Sequence, residues 1–471
     1  MELFIDPDDE RSLTRQLYEQ IREAIMNGRL RPGDRLAPSR AVAAELGIAR
    51  STVTGVYGAL AAEGYTEGRA GGGTVVAAGY GPSLQGPPPG ALAPTPRSAA
   101  LRRYDDDPQA EALFELRPGR IDARLFPAAV WRRCVLAGLR QDPTLYGDPT
   151  GTADLRAALT RWLAGSRGIT MTPDQAVVTA GTGHAVDLVA RVLLSPGDVA
   201  AVEEPGYPPV RELLRCHGVE VAGVPVDEHG IVVDAIPSDA RLVYVTPSHQ
   251  YPLGVVLSRR RRLELLRWAG RHGAAVVEDD YDSEFRHTAR PLEPLHRLDR
   301  DGRVIYIGSF SKILSPGLRT GFLVAPMALV PAITTVRQAV DWCPPLATQQ
   351  ALTVFIDAGH LGRHLRRMRA AYTTRFHRIH RELLDRLPAG YRPLPVQAGL
   401  HVAVAGPETA AQANVCQALL RHGVLVGSLR RTYQEPRSVA GFLVGFGALP
   451  TERVTAAIDA LVTGLTALTG R

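Results

Sequence analysis

Lysine is almost missing from this chain: of its 54 basic residues only Lys312 is a lysine, the rest being arginine. Cysteine is scarce too, with four residues, Cys134, Cys216, Cys343 and Cys416. They lie far apart and lack metal-like spacing, which argues against a disulfide framework or a zinc module and leaves buried thiols as the expectation. No apolar run reaches the about 18 residues needed to cross a bilayer. The opening Met1-Glu2-Leu3-Phe4-Ile5-Asp6 is acidic where a secretory signal would be basic. A cytoplasmic protein is therefore expected, with no membrane segment and no metal. No internal repeat is present, so a solenoid is excluded. The net charge of +6 permits binding to a polyanion without requiring it.

At 471 residues the chain exceeds what one hydrophobic core usually supports, so two or more domains are expected. Composition changes sharply once. From Gly68 to about Arg97 come Gly71-Gly72-Gly73, Gly81-Pro82 and Pro87-Pro88-Pro89-Gly90, with few large apolar residues before Leu113-Phe114-Glu115-Leu116. Such a stretch buries too little apolar surface to offset its ordering entropy and reads as a linker. The boundaries expected are 11–78 for a first domain, 79–112 for the linker and 113–471 for a second domain.

In the first domain Leu13, Leu17, Ile21 and Ile25 recur at helical spacing up to Gly28. A second helix opens at Pro38-Ser39, with Ser39 as cap, and stops at Gly47. A third runs from about Ala49-Arg50-Ser51-Thr52 to Gly64. Tyr65-Thr66-Glu67 and Thr74-Val75-Val76 then flank a glycine-rich tip, as two strands of a wing would. A small helical bundle without a ligand has the same apolar pattern; the polar residues point elsewhere. Arg40 opens the second helix, and Arg50, Ser51, Thr52 and Thr54 open the third, where phosphates and base edges would meet a helix-turn-helix.

In the second domain the apolar run Val304-Ile305-Tyr306-Ile307-Gly308 reads as a buried strand leading into Ser309-Phe310-Ser311-Lys312-Ile313-Leu314-Ser315-Pro316-Gly317-Leu318-Arg319. The one lysine is expected on a loop at a strand end, with two hydroxyls before it and a guanidinium seven residues on that could grip a phosphate. Lysine has a chemistry that arginine lacks: its amine loses a proton near neutral pH and attacks carbonyls. Upstream, Ala274-Ala275-Val276-Val277 ends in Glu278-Asp279-Asp280-Tyr281. Farther upstream, Ala176-Val177-Val178-Thr179-Ala180 runs into Gly181-Thr182-Gly183 at a helix start, where backbone N–H groups and the helix dipole favour an anion.

These motifs carry two resemblances. The run from Gly33-Asp34-Arg35 through Arg50-Ser51-Thr52-Val53 and Tyr57 to Glu63-Gly64-Tyr65 and Gly73-Thr74 resembles the winged helix of GntR-type bacterial regulators. It departs at Ala37 and Ala49, where small polar residues are common. The resemblance implies binding of double-stranded operator DNA, with Arg40, Arg50, Ser51, Thr52, Thr54, Tyr57 and Gly73 as DNA-binding residues.

The lysine stretch resembles that of fold-type I pyridoxal phosphate (PLP) enzymes. By that resemblance Lys312 forms the Schiff base with PLP. Ser309, Ser311 and Arg319 take the phosphate along with Gly181, Thr182 and Gly183. Asp279 pairs with the pyridine nitrogen and Tyr281 reaches the ring hydroxyl, while Tyr207, in Glu204-Pro205-Gly206-Tyr207-Pro208, stacks on the ring. Tyr146, in Tyr146-Gly147-Asp148-Pro149-Thr150-Gly151, would reach the phosphate of a neighbouring subunit. Tyr251, in Thr246-Pro247-Ser248-His249-Gln250-Tyr251-Pro252-Leu253-Gly254, stands near the asparagine usual in aminotransferases, which puts turnover in question.

Taken together, the two halves resemble the MocR/GabR-type subfamily of GntR transcriptional regulators. The fold class this implies is α/β: an aminotransferase-like domain with a mostly parallel sheet, flanking helices and a small C-terminal α+β domain, preceded by the winged helix-turn-helix. The small domain is expected from about Pro388. The implied protein is a head-to-tail homodimer that senses a small amino compound, or PLP itself, at Lys312. Arg430 and Arg431 are carboxylate-binding candidates, with plain surface arginines as the other reading. Two rival functions stay open, an active aminotransferase retaining a DNA-binding head and a DNA-binding protein with a dead cofactor fold.

Overall fold

The computed structural model describes residues 3–6, 9, 11–69, 73–78, 93–102, 112–139, 146–287, 293–407, 415–434 and 441–469. Two compact units partition the chain, Met1–Pro94 and Thr95–Arg471. Gly71 and Gly72 of the expected wing tip, and most of the expected linker, lie outside the described residues.

The first unit holds helices Leu13–Met26, Ser39–Leu46 and Arg50–Ala62, followed by strands Thr66–Arg69 and Gly73–Val76, which pair antiparallel. Leu17, Ile21 and Ile25 pack against Val42, Val53, Val56, Leu60 and Val76. Two sequence readings need correction. Leu13 is exposed, because it opens its helix beyond the reach of the others. Ser39 is not a cap: Pro38 holds that position, and the Ser39 hydroxyl instead accepts a bond from Arg50 Nε at 3.4 Å. Gly47, at φ 65°, ends the second helix in a conformation that other L-residues resist.

The second unit is built on an eight-stranded sheet. Its order is Ala176–Thr179, Gly321–Val324, Val304–Ser309, Ala275–Asp280, Ala240–Val245, Val199–Glu204, Glu220–Asp227, Gly230–Ile231. Gly321–Val324 runs antiparallel to both neighbours, and Gly230–Ile231 to its one; the remaining pairs are parallel. The central strands are apolar on both faces because helices cover both, which explains their unbroken Val, Ile and Ala runs. This topology brings the carboxyl ends of five parallel strands to one edge, where open α/β sheets place their ligands.

The second sheet has the order Arg392–Pro393, His401–Ala405, Gly441–Gly445, Val424–Ser428, Phe114–Leu116. The smaller domain therefore does not begin at Pro388 alone. Its edge strand comes from residues 114–116, parallel to Val424–Val426, and three residues are too few to show a period in sequence. Cysteine burial also differs from expectation: all four are free thiols, Cys134 is buried, but Cys216 at a helix end is exposed.

The 27-residue helix His360–Arg386 is fastened to the segment after Phe114–Leu116 by a buried ion pair. Arg375 Nη2 lies 2.9 Å from Asp122 Oδ2, and Arg375 Nη1 donates to the carbonyls of Phe446 and Gly447 at 3.0 and 2.6 Å. Burial alone would raise the Asp122 carboxyl, but hydrogen bonds from Arg124 and Arg375 outweigh it and hold the carboxyl down at about 2. Removing Arg375 takes one of two cations from the buried Asp122, leaving Arg124, and strips a donor from the Phe446 and Gly447 carbonyls; breaking a buried pair typically costs about 3–5 kcal/mol. Arg375→Ala is therefore expected to lower the unfolding free energy by roughly 3 kcal/mol at pH 7 in a urea titration. Because the folded carboxyl lies below its unfolded value, the pair stabilises above about pH 4 and its contribution is lost as pH falls through 2. The deficit of the variant should shrink over that window.

Candidate functional site

Strand Ala275–Asp280 carries three consecutive buried acids to the carboxyl edge. Glu278 accepts from the backbone of Leu295 and His296, each at 2.9 Å, and Asp280 takes Arg167 at 2.5 Å and the Tyr306 hydroxyl at 2.6 Å. Asp280 Oδ1 is buried without a hydrogen bond among the described residues, but its other oxygen holds an arginine, whereas Asp279, pointing to the other face, has only a tyrosine. Tyr244 donates to its Oδ2 at 2.5 Å, while Oδ1 is buried with no hydrogen-bond partner among the described residues. Burial pushes the Asp279 carboxyl up to about 7 against the opposing pull of Tyr244. A buried carboxylate oxygen with nothing on it fits a protonated ring nitrogen.

Lys312 departs from the expected loop: it sits in the one-turn helix Phe310–Ile313 at the end of Val304–Ser309. Its ammonium donates to the Gly119 carbonyl at 2.7 Å. Gly119 has φ 82°, a conformation other L-residues resist, and a Cβ there would lie 2.8 Å from Nζ and push the amine aside. Burial lowers the Lys312 amine from its ordinary value, with Asp282 and Asp279 opposing the shift and Arg120 and Arg319 assisting it. Burial and the two arginines outweigh the two carboxylates, which makes the lysine readier than usual to act as a neutral nucleophile.

The anion cradle lies beside it. Gly181 caps the helix Thr182–Leu193 at φ 97°, and the Arg319 guanidinium donates to the Ala180 carbonyl at 2.8 Å. The Ser309 and Ser311 hydroxyls are 3.0 Å apart, and Ser309 Oγ accepts from the Ser311 backbone. Gly183 and Arg319 are exposed, leaving the helix start open to an incoming anion.

An aromatic wall completes the site. Tyr207 meets Tyr251 edge-on at 5.4 Å, and Tyr251 meets Tyr281 at 6.4 Å. The Tyr281 hydroxyl is 2.9 Å from His249 Nδ1, which is also 3.0 Å from Asp282 Oδ2. His401 lies against His249 at 4.9 Å and bonds the Pro252 carbonyl at 3.0 Å. Burial, followed by the charges of His249 and Lys312, depresses His401 to about 3, so it is neutral. Ligand atoms of His249, Asp282 and His401 come within 4.8 Å of one another, a metal-like grouping in which His249 Nδ1 and His401 Nε2 already have partners and His249 Nε2 is buried without one among the described residues.

Sequence reasoning missed Gly119, Tyr244, His249, Asp282 and His401. Of these, Asp282 and His249 had a signal, since each lies within three residues of a residue singled out above. Gly119 and His401 come from distant segments and had none.

Arg430 and Arg431 fall in the short turn Arg430–Thr432, both exposed, with Arg431's backbone bonded to Arg211. Tyr146 is exposed and packs on Trp342 at 5.3 Å, away from the contacts of Lys312. In the first unit Arg40, Arg50, Ser51, Thr54 and Gly73 are exposed and Thr52 is half-buried. Tyr57 has its hydroxyl committed to the Ala37 carbonyl at 2.8 Å. Ala49, as its sequence implied, provides no side-chain cap to Arg50–Ala62.

Comparison with known proteins fits both units. Residues 13–76 match the gntR family of bacterial regulatory proteins, and residues 122–460 match aminotransferase class I and II. The chain is 39% identical to the probable rhizopine catabolism regulatory protein MocR of Rhizobium meliloti, over 79% of this chain and 77% of that one. It is 33% identical to the HTH-type pyridoxine biosynthesis transcriptional regulator PdxR of Corynebacterium glutamicum, over 94% of each. Among solved structures, the multiple substrate aminotransferase of Thermococcus profundus superposes with TM-score 0.73 at 25% identity, covering 80% of this chain and 98% of that one. Kynurenine aminotransferase of Pyrococcus horikoshii gives TM-score 0.71 at 25% identity, over 76% and 92%.

The wall behind the site rests on Gly399. At φ 88° it lies so close to His249 that a Cβ would collide with the imidazole and sit 2.6 Å from Asp282 Oδ2. Gly399→Ala is expected to destabilise the chain by about 2–4 kcal/mol through strain and displacement of the histidine. A thermal unfolding transition unchanged from the parent would contradict this packing.

Proposed function

We propose, for a chain that belongs to the MocR-like HTH-type transcriptional regulators and so to both the gntR and the aminotransferase class I and II families, that Lys312 and Asp279 form a sensor for amino compounds. The cofactor is pyridoxal phosphate. When bound, it supplies an aldehyde that condenses reversibly with primary amines and a ring that withdraws electrons once its nitrogen is protonated. Lys312 would hold it covalently, and Asp279 Oδ1 would keep the proton on the ring nitrogen. Gly181, Thr182, Gly183, Ser309, Ser311 and Arg319 would hold its phosphate; Tyr207 and Tyr281 would flank the ring. The observation that carries the reading is the half-answered, fully buried Asp279 beside the only lysine, in one chain with a winged helix.

The effector is an amino compound, or PLP itself, with its carboxylate, where it has one, facing Arg430 or Arg431. Differential affinity for two arrangements of the protein would then bias DNA binding. Sensing is favoured over turnover by Tyr251. It is buried against Tyr207 and Tyr281, near the position where aminotransferases usually carry asparagine. An active aminotransferase keeping its DNA-binding head is the rival, and conversion of many equivalents of an amino acid to its keto acid, with a second keto acid supplied as amino-group acceptor, would favour it.

A head-to-tail homodimer is the assembly proposed. Exposed Leu136, Leu139, Tyr146, Val340, Trp342 and Val354 sit on neighbouring helices and loops of the second unit, and a second copy of the chain would cover them. In that dimer Tyr146 would reach the partner's phosphate.

In the head, the start of helix Arg50–Ala62 would enter the major groove, with Arg40, Arg50, Ser51, Thr52 and Thr54 facing DNA and Gly73 at the wing. Tyr57 would support the helix from within, through Ala37.

Lys312→Ala is expected to remove all visible, borohydride-reducible absorbance from the purified protein while leaving its thermal transition in place. Since no other lysine exists, a residual reducible chromophore would sink the assignment. Arg50→Ala is expected to weaken binding to DNA and leave the visible spectrum unaltered. If Arg50 contacts phosphate, the salt dependence of log K should flatten by about one unit on operator and random DNA alike. If it reads a guanine, the loss should concentrate on the operator at about 1–3 kcal/mol. Undiminished binding to both DNAs at two salt concentrations would mean that another helix faces the groove.

A further inference from the structure

One buried cation is used neither by the cofactor site nor by the fold's ion-pair network around Asp280. Arg211 lies on helix Pro208–Cys216, which begins immediately after Tyr207, and is 3% exposed. Its two terminal nitrogens donate to one short stretch of backbone, while Nε is buried without a partner among the described residues. Nη1 donates to the Thr432 carbonyl at 2.5 Å, and Nη2 to those of Arg431 and Tyr433 at 3.1 and 3.4 Å. Glu204, itself nearly buried, lies 3.4 Å from Arg211 and takes the Gln434 N–H on its other oxygen at 2.8 Å. Arg215, one turn on, donates to the Gln434 side chain at 3.0 Å, and Gly206 N–H adds a bond to the Thr432 carbonyl at 3.0 Å. Residues 431–434 are thus tied to this helix by its side chains rather than by a strand ladder. The same stretch carries one of the two carboxylate-binding candidates, Arg431, and the other, Arg430, immediately precedes it.

The other end of the helix is tied as well. Glu212 accepts the backbone N–H of Arg102 at 3.2 Å. Arg97 lays its guanidinium over Gly218, just past the helix C-terminus, so closely that a Cβ there would be 3.0 Å from its Cζ. A cation at that end is favoured by the helix dipole. Thr95 caps the turn Pro96–Ala99 that presents Arg97. Within the second unit, then, one nine-residue helix touches the cofactor wall at Tyr207, the 431–434 stretch through Arg211, and residues 95–102 through Glu212 and Gly218.

We infer that Arg211 is a positioning residue. It fixes the 431–434 stretch to helix Pro208–Cys216, so that a ligand carboxylate drawn to Arg430 or Arg431 is felt at residues 95–102, where the chain enters the ligand domain. The inference rests on the sensor reading above for its ligand, and on the hydrogen bonds alone for the clamp. A buried arginine bonded to three successive carbonyls is a rigid connector, because its planar fork leaves few alternative arrangements. The carbonyls it serves belong to a turn that has no ladder of its own.

The test uses full-length, PLP-loaded protein and amide hydrogen exchange. Without ligand, Arg211→Gln should speed exchange at 432–434 at least fivefold while the visible spectrum stays unaltered; unchanged protection there overturns the clamp. A panel of L-amino acids is then screened by spectral shift, and a responding one is used as the probe. It should slow exchange in the parent both at 432–434 and at 97–102. Arg211→Gln should abolish the slowing at 97–102 while the spectral shift persists. Glu212→Ala, which removes the acceptor for the Arg102 N–H, should abolish it at 97–102 and keep it at 432–434. A full response at 97–102 in Arg211→Gln would overturn the connection. Should no amino acid shift the parent spectrum, the amino-acid sensor reading and the connection built on it both fall, and the ligand-free exchange still decides the clamp.

Discussion

Three acids in a row at the end of a buried strand set the terms for the ligand domain. A carboxylate removed from water costs several kcal/mol unless it is paired or bonded, and Glu278, Asp279 and Asp280 are all at most 5% exposed. Strand alternation sends the first and third to one face and the second to the other. On the first face the surrounding chain supplies backbone donors, Arg167, Arg262 and Tyr306. On the second it supplies one tyrosine and stops. The same strand therefore carries two kinds of acid. Those on one face are paired with arginines and lock neighbouring segments together, although Asp280 Oδ1, like Asp279 Oδ1, has no hydrogen bond among the described residues. The one on the other face has a tyrosine on one oxygen and, in the sensor proposed above, a cofactor ring on the other.

That division explains which parts could be read in the sequence. Val304–Ser309 and the acids after Val277 stood out because a strand buried on both faces must be an unbroken apolar run, and chemistry at its end interrupts the run abruptly. Lys312 stood out by composition. The winged head was legible because its three helices are amphipathic and its turns are closed by glycines such as Gly47. Tertiary bonding remained hidden. Tyr244 sits inside an apolar strand and looks like core until its hydroxyl is found on Asp279. His401 begins a strand more than a hundred residues from its neighbour His249. Ser39 looked like a cap by residue type, yet Pro38, which fixes its own backbone, occupies the capping position. The outer strand 114–116 was too short to carry a period, and only its partner at 424–426 makes it a strand.

The two units solve different physical problems. The head is a small core, in which about ten buried residues hold three helices and a wing, so its outer surface is free to be polar and cationic. The ligand domain spreads its core over both faces of the large sheet and onto the small one. Its edge can then hold strained and buried features, such as Gly119, Gly399 and Asp279, that a smaller domain would not tolerate, because the surrounding core is large compared with their individual costs.

Phe114–Leu116 gives the ligand domain an awkward birth. Its register partner begins at Val424, about 310 residues later, so the strand has nothing to pair with until nearly the whole polypeptide has left the ribosome. At about 5–20 residues per second that interval is on the order of 15–60 seconds. The head, whose contacts are all local, can be finished long before. A nascent chain of this protein would thus carry a completed DNA-binding module ahead of a ligand domain still open at its edge, and premature release near residue 400 would leave that edge exposed for good.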